Sequence, residues 1–475
     1  MTGSNPDVID PHAEDPPYAE DLEDIALGDD YALTANYVDM VVDAADRGDS
    51  DRLRELVHAL RAEDVADLMG FLSADYREDI IPLLDAEDLA EIIAELDTNL
   101  REEVLESVPP KQLAAALGEL DSDDAADVVD DMEDQQRAEV LAQMSDVDRA
   151  AIETTLAYRD ETAGRLMQRE VLAAPQFWTV TQTIEHIRTA GDDLPDLFFD
   201  VYVVDPAMRP VGAAPVSVLL RAQPDAELAS LMEQVTEIPV DMDQEEVAYI
   251  FDKYHLISAP VVDSGGRLVG QITVDDIVGV IQDESEEDIL ALAGVSDAGR
   301  DATIIEIAKS RLPWLLVNTV TAALAASIIG AFEDHIAKLV TLAILLPVVA
   351  SLGGNAGTQT LAVAVRALAA RELNAANALR IVRREMSVGL MNGFALAFVL
   401  AGATFVWMQD PRLSLTLGLA LIVNLFLASV AGILVPLTLD RLGRDPAVSS
   451  SVFVTFVTDF MGFLSFLGLA ALILF

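Results

Sequence analysis

The sequence predicts a multidomain membrane protein: an N-terminal α-helical superhelix, a doubled α/β module, a connecting helix and a five-helix transmembrane domain. Three observations predict it. Charge is segregated: of 475 residues, 1–300 hold 71 acids and 18 bases, whereas 301–475 hold 10 and 11. A short pattern recurs on a 12-residue grid between 51 and 158. From Leu312 onward, five long apolar runs fill the chain. An acidic soluble part is thus joined to an apolar part. A net charge of −52 repels phosphate and excludes nucleic-acid binding through a basic surface. With no cysteine there is no disulfide, zinc-thiolate site or thiol nucleophile. Only Lys111, Lys253, Lys309 and Lys338 are lysines, and an Asp-rich, Lys-poor chain is also what adaptation to high salt produces.

Residues 1–30 carry no basic flank or apolar stretch, so they read as a disordered acidic tail rather than a signal peptide. Residues 31–160 are assigned to the helical-repeat domain. The string DVADL at 64–68 returns as DLAEI at 88–92, QLAAA at 112–116, DAADV at 124–128 and DRAAI at 148–152. REDII at 77–81, REEVL at 101–105 and RAEVL at 137–141 interleave with it. Helices this short are unstable alone and must stack on their neighbours.

Residues 161–283 change texture. VYVVD at 201–205 and APVVD at 259–263 are apolar runs ending in Asp-led turns, and the second continues into the strand RLVGQIT at 267–273. Helical stretches alternate with these strands, giving a doubled unit with halves near 162–222 and 223–283. APVVD together with GQITVDD at 270–276 resembles the second half of a paired CBS module, and the first half is more degenerate. Residues 284–310 form the connecting segment. Uncharged runs at 312–332, 339–365, 386–409, 413–439 and 446–475, the last interrupted by Asp459, are each long enough to cross hydrocarbon. Arg366, Arg371, Arg380, Arg383 and Arg384 between runs two and three, with Arg441 and Arg444 between runs four and five, place those loops in the cytoplasm. The acidic domains are then cytoplasmic and the C-terminus extracellular.

Asp459 carries most of the chemistry. A carboxylate within a span costs roughly 2.5–3.5 kcal/mol on insertion scales and needs a partner or water, which marks either an ion path or an interhelical hydrogen bond. Thr455 shares its helical face, and Gly462 leaves room beside that face. LPVVASLGGNAGTQ at 346–359 weakens the second span with a proline and three glycines, either exposing carbonyls to a water-filled path or permitting close helix packing. Glu333 after the first span reads as a cation collector or an ordinary loop acid. No nucleophile–base constellation argues for an enzyme.

The 346–359 string, DPA at 445–447, VTDFMG at 457–462 and DESEEDIL at 283–290 together resemble the MgtE family of magnesium channels, in the same domain order over about 50–475. The resemblance implies a homodimer in the plasma membrane, with its pore at the subunit interface and Asp459 at the ion-selecting position. Asn355 and Glu333 would contribute to the path. It further implies that cytosolic Mg²⁺ closes the channel by bridging Asp123 and Asp127 of the repeat domain, Asp243, Glu245 and Asp276 of the CBS pair, Glu284, Glu287 and Asp288 before the connecting helix, and Asp445 at the inner mouth. A helix over 291–310 would act as the plug. Gly279 and His255 stand where the family commonly carries acids. Thr273 and Asp276 resemble nucleotide-holding positions, so ATP is a candidate ligand of the CBS pair. The function implied is Mg²⁺-gated Mg²⁺ uptake down the electrochemical gradient. The alternatives are transport of Mn²⁺ or Co²⁺, disfavoured by the lack of soft ligands in the spans, and a non-transporting membrane sensor of nucleotide.

Overall fold

The computed structural model describes residues 22, 25–28, 31–191, 194–195, 197–293, 295, 304–373 and 377–475. Most of the expected acidic tail therefore lies outside the described residues. The chain divides into two compact units, Met1–Val280 and Ile281–Phe475.

Within the first unit, ten α-helices run from α1 (Ala35–Asp46) to α10 (Asp146–Thr155) among the described residues. Each is short, and helices two apart in sequence stack: α3 (Ala62–Phe71) on α5 (Ala86–Glu95), α5 on α7 (Pro110–Ala116), and α8 (Ser122–Asp130) on α10. The repeat strings supply the contacts. Val65, Leu68, Leu89, Ile92, Val128 and Val129 are all buried in one continuous core. A helix of nine or ten residues gains its stability from that shared core rather than from propensity.

The α/β module is a true duplication. Strands β1 (Ala173–Pro175), β2 (Asp200–Val204) and β3 (Pro210–Pro215) form one sheet, and β4 (Ile238–Pro239), β5 (Ser258–Val262) and β6 (Leu268–Thr273) form the other. In each, the first pair is parallel and the second antiparallel. The ladder shifts register at equivalent points, Val203/Val204 and Val261/Val262. The Asp-led turns also correspond. Asp205 accepts from the amides of Ala207 and Arg209, and Asp263 from those of Gly265 and Arg267. Gly266 takes φ +72° in the second turn, whereas Met208 takes φ +60° in the first. The degenerate half thus keeps the geometry without the glycine that suits it.

After the module's own helices, α11 (Ala163–Leu166), α12 (Val180–Ala190), α13 (Val216–Leu219) and α14 (Gln244–Tyr254), helix α15 (Val274–Leu292) leads out of β6. The expected plug helix over 291–310 is not one continuous element in the described structure: α15 ends at Leu292 and α16 (Ile304–Ala331) begins at Ile304, while 294 and 296–303 lie outside the described residues. The second unit holds five helices long and apolar enough to cross a membrane: Ile307–Ala331, Thr341–Ala369, Ala378–Met408, Pro411–Arg441 and Ser450–Ile473. The fourth is the most enclosed, packed against the second, third and fifth, whereas the first leans mainly on the fifth and stays largely uncovered.

Candidate functional site

The second span runs unbroken from Thr341 to Ala369, through Pro347 and its glycines. Gly353 and Gly357 serve close packing rather than unwinding, while Gly354 faces open space. A Cβ on Gly357 would stand 2.7 Å from Val454 and 3.0 Å from Thr458, both on the fifth span. A Cβ on Gly353 would overlap the amide of Asn424 on the fourth. Small residues let these helices approach, which is how spans gain contact without a hydrophobic drive between them.

That packing fixes the surroundings of Asp459. Thr458 beside it is fully buried against Gly357, Thr455 one turn earlier is exposed, and Asp459 is half-buried between these extremes. Gly462 does leave the expected room, and the side chain that fills it is Asn424. Asn355 is exposed and opens onto a groove of about 380 Å³ between the second and third spans, shared with Gln359 and Asn392. Three side-chain amides from those spans line that groove. Glu333 is exposed at the first residue of a short helix, Glu333–Lys338.

At the near end of the fifth span, Asp445 caps the helix by accepting from the Ala447 amide at 2.7 Å. Burial, with Asp445 and then Glu287 close by, pushes the Asp288 carboxyl above its usual range. Ala291 and Leu292 pack with Leu361, Val365, Ala447 and Val454. The end of α15 therefore rests on the ends of the second and fifth spans, with acids of both segments gathered there. Glu284 is half-buried and Glu287 exposed on the same helix.

A second acidic cluster forms in the first unit, where α8 meets the α/β module. The Ser122 amide and hydroxyl donate to Glu170 at 3.2 and 2.8 Å, while the hydroxyl accepts from the Arg169 amide at 2.8 Å. Gln168 donates to Asp121 at 2.8 Å, and Arg165 pairs with Asp130 at 2.7 Å. This docking brings Asp123 and Asp124 of α8 against Asp275 and Asp276 at the start of α15. Burial and then the charge of Asp276 push Asp123 well above the usual carboxylate range, and its Oδ1 is buried with no hydrogen-bond partner among the described residues. Burial likewise raises Asp276 to about 7, although the Thr273 hydroxyl donates to it at 2.8 Å. Asp124 is raised by burial and by Asp127. Such a set is short of positive charge, and a cation between the carboxylates would stabilise it. Among the described residues, no group of three acids or histidines converges tightly enough to make a preformed metal cage.

Asp127 borders this set, since its charge reaches Asp124, but its own partner is a base. The buried guanidinium of Arg101 holds it at 2.9 Å and Asp131 at 3.0 Å. Asp123 and Asp127 share a helix but divide between two environments. Asp243 caps Gln244–Tyr254 by accepting from the Glu245 amide, and both acids are exposed. Thr273, buried and bonded to Asp276, sits at the strand-to-helix junction.

Comparison with known proteins finds family matches in three parts of the chain. The family model described as a divalent cation transporter, MgtE, matches 346–469, the MgtE intracellular N domain matches 39–161, and the CBS domain matches 228–283. The magnesium transporter MgtE of Thermus thermophilus is 35% identical over 334 residues, which span 69% of this chain and 73% of that relative. The chain belongs to the MgtE family. The Enterococcus faecalis magnesium transporter MgtE is 33% identical over 322 residues, covering 68% of this chain and 71% of its own. A crystal structure of the cytosolic domain of the Mg²⁺ channel MgtE in complex with ATP is 32% identical, covers 51% of this chain and 99% of that one, and superposes with a TM-score of 0.49.

Four residues of this MgtE-family chain are missed by reading the sequence for charge and motif. Asp124 and Asp275 complete the acidic cluster, and only the docking of α8 brings them into it. Asn392 and Asn424 are amides inside spans. Asn424 is the one amide of its run, 413–439, and Asn392 shares its run, 386–409, only with the terminal Gln409; that is the signal that could have found them.

Proposed function

We propose that this protein is a Mg²⁺-selective, Mg²⁺-gated channel that admits magnesium down its electrochemical gradient, working as a homodimer in the plasma membrane with its acidic domains in the cytoplasm. The observation that carries the reading is the lone mid-span carboxylate, Asp459, on a fifth span that packs closely on the second through Gly357, in a chain of the MgtE family. Mg²⁺ sheds its waters reluctantly and prefers octahedral oxygen. A carboxylate from each subunit suits an ion held through its water shell, with the Asn355 amide a further contributor elsewhere along the path. Glu333 would collect cations at the outer mouth. A potential of −100 mV supplies about 4.6 kcal/mol for a divalent ion, at 2.3 per charge, so no motor is required.

The acidic clusters supply the gate. Asp123, Asp124, Asp275 and Asp276 repel one another when docked without metal, and Mg²⁺ bridging them favours the docked arrangement. Asp288, Glu287, Glu284 and Asp445 do the same beside the inner ends of the spans, with Asp243, Glu245 and Asp127 as further acidic positions. High cytosolic Mg²⁺ then closes the path through the 291–310 segment. ATP held near Thr273 and Asp276 would place phosphate charge against this cluster and tune its affinity for metal.

Flux into liposomes tests this. Influx of Mg²⁺ that falls as internal Mg²⁺ is raised, and that exceeds Mn²⁺ and Co²⁺ influx, is the predicted result. Flux indifferent to internal Mg²⁺ overturns the gate; preference for Mn²⁺ or Co²⁺ overturns the selectivity; no flux of any ion favours a sensor.

A further inference from the structure

The fourth span carries a fully buried amide. Asn424 is 0% exposed. Its Nδ2 donates to the Val349 carbonyl of the second span at 2.9 Å, and its Oδ1 is buried without a hydrogen-bond partner among the described residues. The amide fits only because glycines face it from two helices. A Cβ on Gly462 of the fifth span would stand 2.9 Å from Nδ2 and 3.2 Å from Oδ1, and a Cβ on Gly353 of the second span would overlap Nδ2.

The placement of these glycines gives the amide its meaning. Gly462 follows Asp459 by three residues, less than one helical turn, and Gly353 precedes Asn355 by two. One side chain therefore touches both helices within a turn of the residues assigned to the ion path, and holds one of them through a directed bond. Packing alone would let the helices slide by fractions of an ångström, whereas a bonded amide between two glycines fixes their spacing. Groups that orient ion-binding side chains from behind govern affinity and selectivity without touching the ion.

We propose that Asn424 is a positioning residue: it clamps the second span to the fifth at the level of Asp459 and so sets the discrimination between Mg²⁺ and larger divalent ions. This rests on the reading of Asp459 given above. Mg²⁺ demands a stricter oxygen geometry than Ca²⁺, so loosening the clamp erodes the preference for Mg²⁺ before it abolishes flow.

The test compares Mg²⁺ and Ca²⁺ influx into liposomes containing the full-length protein. Asn424→Leu keeps the branched outline of the side chain, with bulkier methyl ends, while removing both the bond and the unpartnered acceptor. Asn424→Ala combined with Gly353→Ala provides a second route, since the added methyl occupies space that the amide leaves. In both variants the Mg²⁺ to Ca²⁺ flux ratio is expected to fall about tenfold, the lower end of what loss of an orienting partner does. A purely structural role would be repaired by the filled volume of the double variant, and its ratio would return to that of the wild type. A wild-type ratio in either folded variant overturns the clamp. Asp459→Asn serves as the control. Its loss of flux beside an unchanged ratio at Asn424 removes the clamp alone, and unchanged flux at Asp459→Asn removes the ion-path reading and the clamp with it.

Discussion

Arg101 decides how the acids of α8 divide their roles. Its guanidinium, buried in the repeat domain, reaches Asp127, Asp131 and the Ala94 carbonyl. Sequence shows Asp123 and Asp127 one turn apart on a helix, but the base that claims one of them comes from a helix 26 residues earlier. A pairing that distant cannot be read from spacing. Asn424 was illegible for another reason. A neutral amide adds no charge, so a run scanned for charge passes over it, whereas Asp459 stands out in the same scan. Truncating Arg101 to Ala leaves two carboxylates facing each other beside Asp124. A fully buried broken pair costs about 3–5 kcal/mol; because Asp127 remains mostly in water, about 2 kcal/mol is the better expectation. Urea unfolding of Arg101→Ala measures it, and an unchanged midpoint would contradict the assignment.

At the level of elements, the repeat strings, the doubled strand–helix unit and the five spans were legible, because each rests on a periodicity that the backbone enforces. The docking of α8 was not legible. Its capping by Glu170 and its contact with Gln168 depend on side chains 47 or 48 residues away. The glycine-rich second span left two readings open, and packing decided between them, since Gly353 and Gly357 gain neighbours that replace the contacts a side chain would make. The docked α8 has a pH signature. Asp276 rises to about 7 and Asp123 is raised well above its ordinary value when docked, so the docked state binds more protons than the undocked one. Docking is therefore favoured at low pH and weakens as pH climbs from the ordinary carboxylate range through about 7. Hydrogen exchange of the α8 amides in metal-free protein, corrected for intrinsic rates, is expected to show less protection at pH 8 than at pH 6, with Mg²⁺ restoring it at pH 8. Protection indifferent to both pH and Mg²⁺ would contradict the cluster's role. Molar monovalent salt should shrink the effect, because it screens unbridged carboxylates.

Across the whole molecule, charge segregation announced the architecture: nearly all the excess acid lies in the first 300 residues and almost none in the apolar remainder. That division fits a regulator built from repelling carboxylates joined to a nearly neutral conduit. A gate of this kind draws its energy from metal binding, while the flow draws on the membrane potential, so the two can be separated by experiment. In the proposed function Asp459 belongs to the conduit alone. The most direct measurement is Mg²⁺ influx into liposomes at low internal Mg²⁺ for the wild-type protein and for Asp459→Ala. Inward flux in the first and background flux in the second is the predicted result. Equal flux in both would contradict the account at its centre.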